Sequence, residues 1–328
     1  MLRGGSAWVE SIVTLALAIA AMVAVHGSPY LEAVALLTCT YAFIALGMYL
    51  PFIMGGALSM AYNAYLGVGA YAMALLATRG DWDLAWSLPI GMIIAAATAV
   101  VLGFATRRLS GFYLAAVTLL FGIAFTTWLV DAESVTGGSG GLQGLRVPVF
   151  AGKPLSNSTL VMLTILAVWI VALALSRLRN SPFGVAVRAR RRAAIAVESC
   201  GIPVSTLTLV SLALGAAVAS VGGSLFAVTN HAIVPESFAV DIVFLCIFMP
   251  LLGGQDRPWG AVLGAVLVVT FTFQLTFFKE TGSLFFSLAV LLVLVIAPRG
   301  VLGYVLIGLQ KLRGGGHAKT QGGAARNG

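Results

Sequence analysis

Residues 176–206 read SRLRNSPFGVAVRARRRAAIAVESCGIPVST and stand between two long apolar blocks. Six arginines (Arg177, Arg179, Arg188, Arg190, Arg191 and Arg192) fall here, in a chain of 328 residues that is 60% hydrophobic and 9% charged. Soluble domains carry about 25% charged residues, and a mean hydropathy of +1.02 belongs to a membrane protein. Loops rich in Lys and Arg stay on the cytoplasmic side of a bilayer. This stretch therefore orients everything around it.

Working outward, a spanning helix needs about 20 mostly apolar residues. Runs of that kind lie near residues 7–25, 33–50, 61–77, 86–105, 112–130, 158–175, 207–228, 239–252, 260–278 and 284–306. The expected fold is an all-α polytopic membrane protein of about ten transmembrane helices, the first retained rather than cleaved as a signal peptide. An even count puts both termini on one side. With the termini cytoplasmic, 15 of the 19 Lys and Arg lie inside: Arg3, Arg107, Arg108, the six of the loop, Arg257, Arg299, Lys311, Arg313, Lys319 and Arg326. Only Arg79, Arg146, Lys153 and Lys279 fall outside. The acids run the other way, with Glu32, Asp81, Asp83, Asp131, Glu133, Glu236, Asp241 and Glu280 external and Glu10, Glu198 and Asp256 internal. The net charge of +8 is thus an effect of topology and does not point to nucleic acid. The expected organisation is one transmembrane domain over residues 1–310, with the loop 176–206 cytoplasmic. The Gly-rich basic tail at 311–328 lacks the apolar residues to order itself.

Several function classes are disfavoured. Intramembrane carboxylates, histidines or lysines mark ion relays, and the apolar runs hold almost none. No GxxxxGK[ST] phosphate loop is present, so energy for active transport would come from another subunit. Cys39, Cys200 and Cys246 are scattered without metal or redox spacing and read as spectator thiols. An integral-membrane enzyme would need clustered acids and histidines, but His26, His231 and His317 are far apart in the chain.

Two interruptions stand out. PFIMGGALSMAYNAYLGVGAY at residues 51–71 places Pro51, Gly55, Gly56, Gly67 and Gly69 inside a long apolar stretch, with Ser59, Tyr62, Asn63 and Tyr65 as polar groups. Such breaks are tolerated where backbone is buried in protein or lines a cavity. A broken helix near 51–71 is expected, its residues either lining a pathway or serving small-residue packing. The second interruption, TGGSGGL at 136–142, brings Thr136, Gly137, Gly138 and Gly141 together in the longest external loop. Without a lysine, it reads as a structured turn or a docking loop rather than a phosphate cradle.

In this order along one chain, the motifs resemble those of the permease subunits of branched-chain amino acid ABC importers, the LivM-like paralogue in particular. Residues 56–59 through 67–71 are similar to GQLSLGHAAFFGIGAY, and 108–122 to RLRGLYLAIVTLAFG. TGGSGGL matches TGGSNGL, and Ser181-Pro-Phe-Gly184 with the arginines after it is similar to SRFGRALRAIRE, ending at Gly201. Trp259-Gly260, Gly264 and Pro298-Arg-Gly300 complete the set. The chain departs from the pattern at Tyr62, where the family has histidine, at the third arginine of Arg190-Arg-Arg192, and across residues 253–260.

The resemblance implies a permease subunit, not an enzyme, that carries branched-chain or related amino acids across the bacterial inner membrane. It implies a paralogous permease, two ATPases and an extracytoplasmic solute-binding protein as partners. No cofactor belongs to this chain, ATP and Mg being held by the ATPases. Ser181, Pro182, Phe183, Gly184, Arg188, Arg191, Arg192, Glu198 and Gly201 would form a coupling helix on an ATPase. Ser181 suits its cap and Pro182 its first position, and Gly201 and Pro203 its stop. Gly55, Gly56, Ser59, Tyr62, Asn63, Tyr65 and Gly67 would line the translocation pathway. Within this reading, urea or a short amide is an alternative substrate. An ion-coupled carrier or facilitator working alone is the alternative from another class.

Overall fold

The computed structural model describes residues 4–275 apart from 81, 110, 146–148, 151 and 152. The tenth apolar run at 284–306, the motif at 298–300 and the tail at 311–328 lie outside the described residues. The first nine apolar runs each fall on a helix, the ninth over its described residues: α1 (Gly4–Val25), α2 (Pro29–Met48), α3 (Tyr62–Arg79), α4 (Leu84–Ala105), α5 (Phe112–Asp131), α7 (Asn157–Asn180), α9 (Val204–Asn230), α10 (Asp241–Gly253) and α11 (Pro258–Leu275). A single turn, α6 (Glu133–Thr136), follows α5, and α8 (Pro182–Ser199) is the helix of the arginine loop. Six described stretches, 29–54, 84–105, 112–131, 157–180, 204–230 and 235–253, are long and apolar enough to cross a membrane. The strands are two-residue stitches: β1 (Leu142–Gln143) pairs antiparallel with β4 (Ala232–Ile233), and β2 (Val149–Phe150) with β3 (Lys153–Pro154).

Helix α9 is the central post, packed against α2, α3 and α4. Its sequence explains why. Gly215, Gly222 and Gly223 open its surface to neighbouring backbone. A Cβ at Gly222 would stand 2.8 Å from the Thr40 carbonyl oxygen of α2, and one at Gly223 would fall on that of Leu66 in α3. Lipid tails offer no hydrophobic incentive for helices to associate, so close backbone approach through small residues supplies the contact. The Ser224 hydroxyl adds a bond to Gly69 O at 3.0 Å. The hairpin of α10 and α11 uses the same device, since a Cβ at Gly264 would land on the Met249 carbonyl. Outward faces carry large apolar side chains such as Val101 (71% exposed), Ile93 (67%) and Leu120 (64%), which only a bilayer or a partner chain could cover.

The break is shorter than the sequence indicates. Proline lacks an N–H and its ring crowds the carbonyl four residues back, so Pro51 disturbs α2 at Gly47. The helix widens there into a turn of π-helix, Tyr49–Met54. Residues 55–61 then run without regular structure, and α3 begins at Tyr62. Gly67 and Gly69 sit inside the continuous α3, correcting a break that was expected to reach residue 71. Their smallness serves packing: a Cβ at Gly67 would stand 2.7 Å from Phe125 Cε1, and one at Gly69 would fall on the Ser220 carbonyl.

The helix ends sort into two groups. At one end, α8, the start of α9, the end of α4, the start of α5 and residues 52–57 surround a common cavity. At the other, Arg79 Nη2 donates to Ser134 O at 2.9 Å, Ser158 Oγ donates to Glu32 Oε1 at 2.6 Å, and β1 meets β4. These are the two groups that the Lys and Arg distribution assigns to opposite faces.

Candidate functional site

Helix α8 is built by local rules. Ser181 closes α7 and opens α8: its hydroxyl donates to Leu178 O at 2.7 Å and accepts from the Gly184 N–H at 3.3 Å. Pro182 takes the first helical position. The turn between the helices is so tight that a Cβ at Gly184 would land on the Leu178 carbonyl. Phe183, Val187 and Val197 anchor the inner face of α8 in the apolar core beneath it. The helix is bent at Ala193, whose backbone leaves the helical region (φ −151°, ψ 70°). It ends at Gly201 (φ +78°), where Gly201 N–H donates to Glu198 O at 2.9 Å and Ile202 N–H reaches back to Val197 O at 3.3 Å. That pattern of return bonds needs a residue free to take positive φ.

The arginines of α8 divide by direction. Arg188 Nε donates to Gly184 O at 3.3 Å, within its own helix, and Arg192 is exposed. Arg190 and Arg191 instead reach the break. Arg191 Nη1 donates to Ile53 O at 2.5 Å. Arg190 donates to Gly55 O through Nε at 3.2 Å and Nη2 at 2.5 Å, and its Nη1 donates to Thr208 Oγ1 at the start of α9. Burial pushes the Arg190 pKa below its ordinary value, but a guanidinium keeps its charge in proteins. Gly55 and Gly56 lie directly under these side chains, a Cβ at Gly56 standing 3.0 Å from Arg191 Cγ.

Together they form one wall of a cavity of about 530 Å³. Its other walls include Phe52, Thr106, Arg107, Glu198, Ser205 and Leu212. Arg190 was absent from the expected coupling residues. No sequence signal could have found it, because Gly55 is 135 residues away along the chain.

The remaining pathway candidates lie deeper and are enclosed by this chain. Tyr62 and Asn63 are 0% exposed, and Ser59 and Tyr65 are 1% exposed. The Tyr62 hydroxyl donates to Gly47 O at 3.0 Å, and its ring meets that of Tyr65 edge-on, centroids 5.5 Å apart. Asn63 Nδ2 donates to Gly122 O of α5 at 3.1 Å and to Phe238 O at 3.2 Å, while its Oδ1 has no hydrogen-bond partner. Met60 N–H donates to Thr118 Oγ1 at 2.8 Å. The segment leading out of the break is thus pinned at several points to α2, α5 and residues 235–238.

The candidates at residues 136–141 make a turn rather than a cradle. The Thr136 hydroxyl stands 2.6 Å from Leu129 O and accepts from Gly138 N–H at 3.2 Å. Gly137, Gly138 and Gly141 all have positive φ, and a Cβ at Gly141 would land on the Ile233 carbonyl. This group sits at the opposite end of the molecule from α8, and within the pathway set Gly55 and Gly56 lie against the arginine helix.

The family model described as branched-chain amino acid transport system / permease component matches residues 30–298. The high-affinity branched-chain amino acid transport system permease protein LivM of Salmonella typhimurium is 29% identical over 293 residues, covering 82% of this chain and 69% of the relative. The protein of the same name from Escherichia coli gives the same figures. A probable branched-chain amino acid transport permease protein LivM of Methanocaldococcus jannaschii is 24% identical over 278 residues, 76% of this chain and 81% of the relative. No solved structure matches. The chain belongs to the branched-chain amino acid transport permease family, as a LivM-like, multi-pass membrane permease.

Proposed function

We propose that this LivM-like permease is the membrane subunit of an ATP-driven importer that carries branched-chain or related amino acids across the bacterial inner membrane. Its transmembrane domain pairs with a paralogous permease. Two ATPases bind the cytoplasmic face, and an extracytoplasmic binding protein delivers the solute. The observation that carries this reading is α8. It is a capped helix rooted in the core by Phe183, Val187 and Val197, with Val185 (52% exposed), Ile195 (82% exposed) and the exposed Arg192 turned away from it. A helix anchored on one side and bare on the other is what a partner protein needs to grip. Ser181, Pro182, Arg188, Arg192 and Glu198 belong to that contact, with the buried Gly184 holding the turn beneath it, and Gly55 and Gly56 mark the cytoplasmic end of the path.

The test is purification from native membranes followed by an ATPase assay. A second permease and two ATPases should come down with the chain, and hydrolysis should rise when the binding protein is added with leucine, isoleucine or valine. Stimulation by urea or a short amide alone would replace the substrate and leave the mechanism. Uptake by the chain alone in vesicles without ATP would replace the mechanism with a facilitator.

A further inference from the structure

A helix that stops inside a protein leaves its last carbonyls without donors. At the end of the π turn, Leu50 O, Pro51 O and Phe52 O are served locally by the N–H groups of Gly55, Ala57 and Gly56. The carbonyls of Ile53 and Gly55 are served from α8, by Arg191 and Arg190. The negative end of the helix dipole thereby meets two fixed positive charges. Arg190 is held by three donors on two acceptors, its Nε and Nη2 on one oxygen and its Nη1 on Thr208. A planar fork gripping one oxygen by two donors tolerates little slack.

We propose that Arg190, seconded by Arg191, is the positioning residue that transmits movement of α8 to the break at residues 55–61. The bend at Ala193 lies just beyond the two arginines, so residues 182–192 move as a short rod without dragging the rest of α8. A shift of that rod displaces Gly55. The far end of the segment is held on α5 by Met60 and Asn63 and on residues 235–238 by Asn63. The displacement therefore falls on the irregular backbone between Gly55 and Met60. That α8 is driven by an ATPase rests on the function proposed above; the mechanical link to Gly55 does not.

Two measurements separate these statements. In the first, the chain alone in lipid nanodiscs is followed by amide hydrogen exchange. Arg190→Ala should speed exchange at Gly55, Gly56 and Ala57 at least tenfold, with residues 209–227 of α9 unchanged. Arg190→Lys, which keeps the charge and loses the fork, should fall between. Should Arg190→Ala not assemble, Arg190→Lys carries the test, with a threefold change expected. Unchanged exchange at residues 55–57 overturns the link. In the second, the assembled complex is assayed for ATP-driven uptake and for hydrolysis. Arg190→Ala should cut uptake at least tenfold while more than half the hydrolysis persists, because the outer face of α8 is untouched. Equal loss of both, or loss of neither, overturns transmission. Faster exchange in a chain that binds no ATPase supports the link and removes the importer reading.

Discussion

The hydroxyl of Tyr62 donates to the carbonyl of Gly47 at 3.0 Å, fastening the first turn of α3 to α2 across the break. Pro51 creates the need for this bond. It stands four residues after Gly47 and cannot return an N–H to that carbonyl in the α-helical pattern. Tyr62 therefore serves an acceptor that the proline has disturbed, and the two residues form one device although eleven positions separate them in sequence.

Tyr62→Phe keeps the ring and its packing on Tyr65 but removes the donor. Hydrogen bonds between membrane helices are worth about 0.6 kcal/mol on average and up to about 1.7, so a loss of about 1 kcal/mol is expected. Unfolding in mixed micelles titrated with a denaturing detergent reads it. A variant as stable as the wild type would show that the π turn alone satisfies Gly47.

Asn63 holds two carbonyls with one amide nitrogen. Asn63→Ala should cost about 1–3 kcal/mol by leaving buried acceptors without a donor. Asn63→Asp should also destabilise, because burial drives the carboxyl to its neutral form, whose single O–H can serve only one of the Gly122 and Phe238 oxygens. An Asn63→Ala variant as stable as the wild type would mean that the segment 235–238 is not held by this side chain.

Gly69→Ala places a methyl group on the Ser220 carbonyl, which is backbone and cannot swing aside. Overpacking of this kind costs about 1–3 kcal/mol, and yield of folded protein by size-exclusion chromatography should fall sharply. Gly140→Ala is the control, since nothing lies within 4 Å of its added Cβ. Equal yields for the two would refute the account of how α3 and α9 pack.

Ser181→Ala removes the cap that α7 and α8 share. Loss of an N-cap costs about 0.5–2 kcal/mol, concentrated in the first turn of α8. Limited proteolysis should cut faster near residues 181–186, and Ser181→Thr or Ser181→Asp should restore resistance. Failure of both rescues would mean that the Gly184 approach to Leu178, and not the cap, holds the turn.

Much of this molecule can be read along the chain. Long apolar runs locate helices because a bilayer demands that every backbone group be satisfied within its own segment. The start and stop of α8 follow from Ser181, Pro182, Gly201 and Pro203, since caps are local chemistry. The extent of the break does not follow. Gly67 and Gly69 look like breakers in a string of letters, yet they belong to a continuous helix because Phe125 and Ser220 occupy the space a side chain would take.

The division of labour among the arginines is the sharpest case. Six positive charges in residues 176–206 mark one face of the membrane, because charge near helix ends decides which loops cross. Letters alone predict that, and they suffice for the helical class and the family. Which arginine turns outward and which reaches Gly55 depends on where α2 ends in space and how α8 lies across it. Arg188, Arg190, Arg191 and Arg192 are chemically identical; the tertiary structure distinguishes them, because a hydrogen bond to an unsatisfied carbonyl exists only where the fold brings donor and acceptor within about 3 Å.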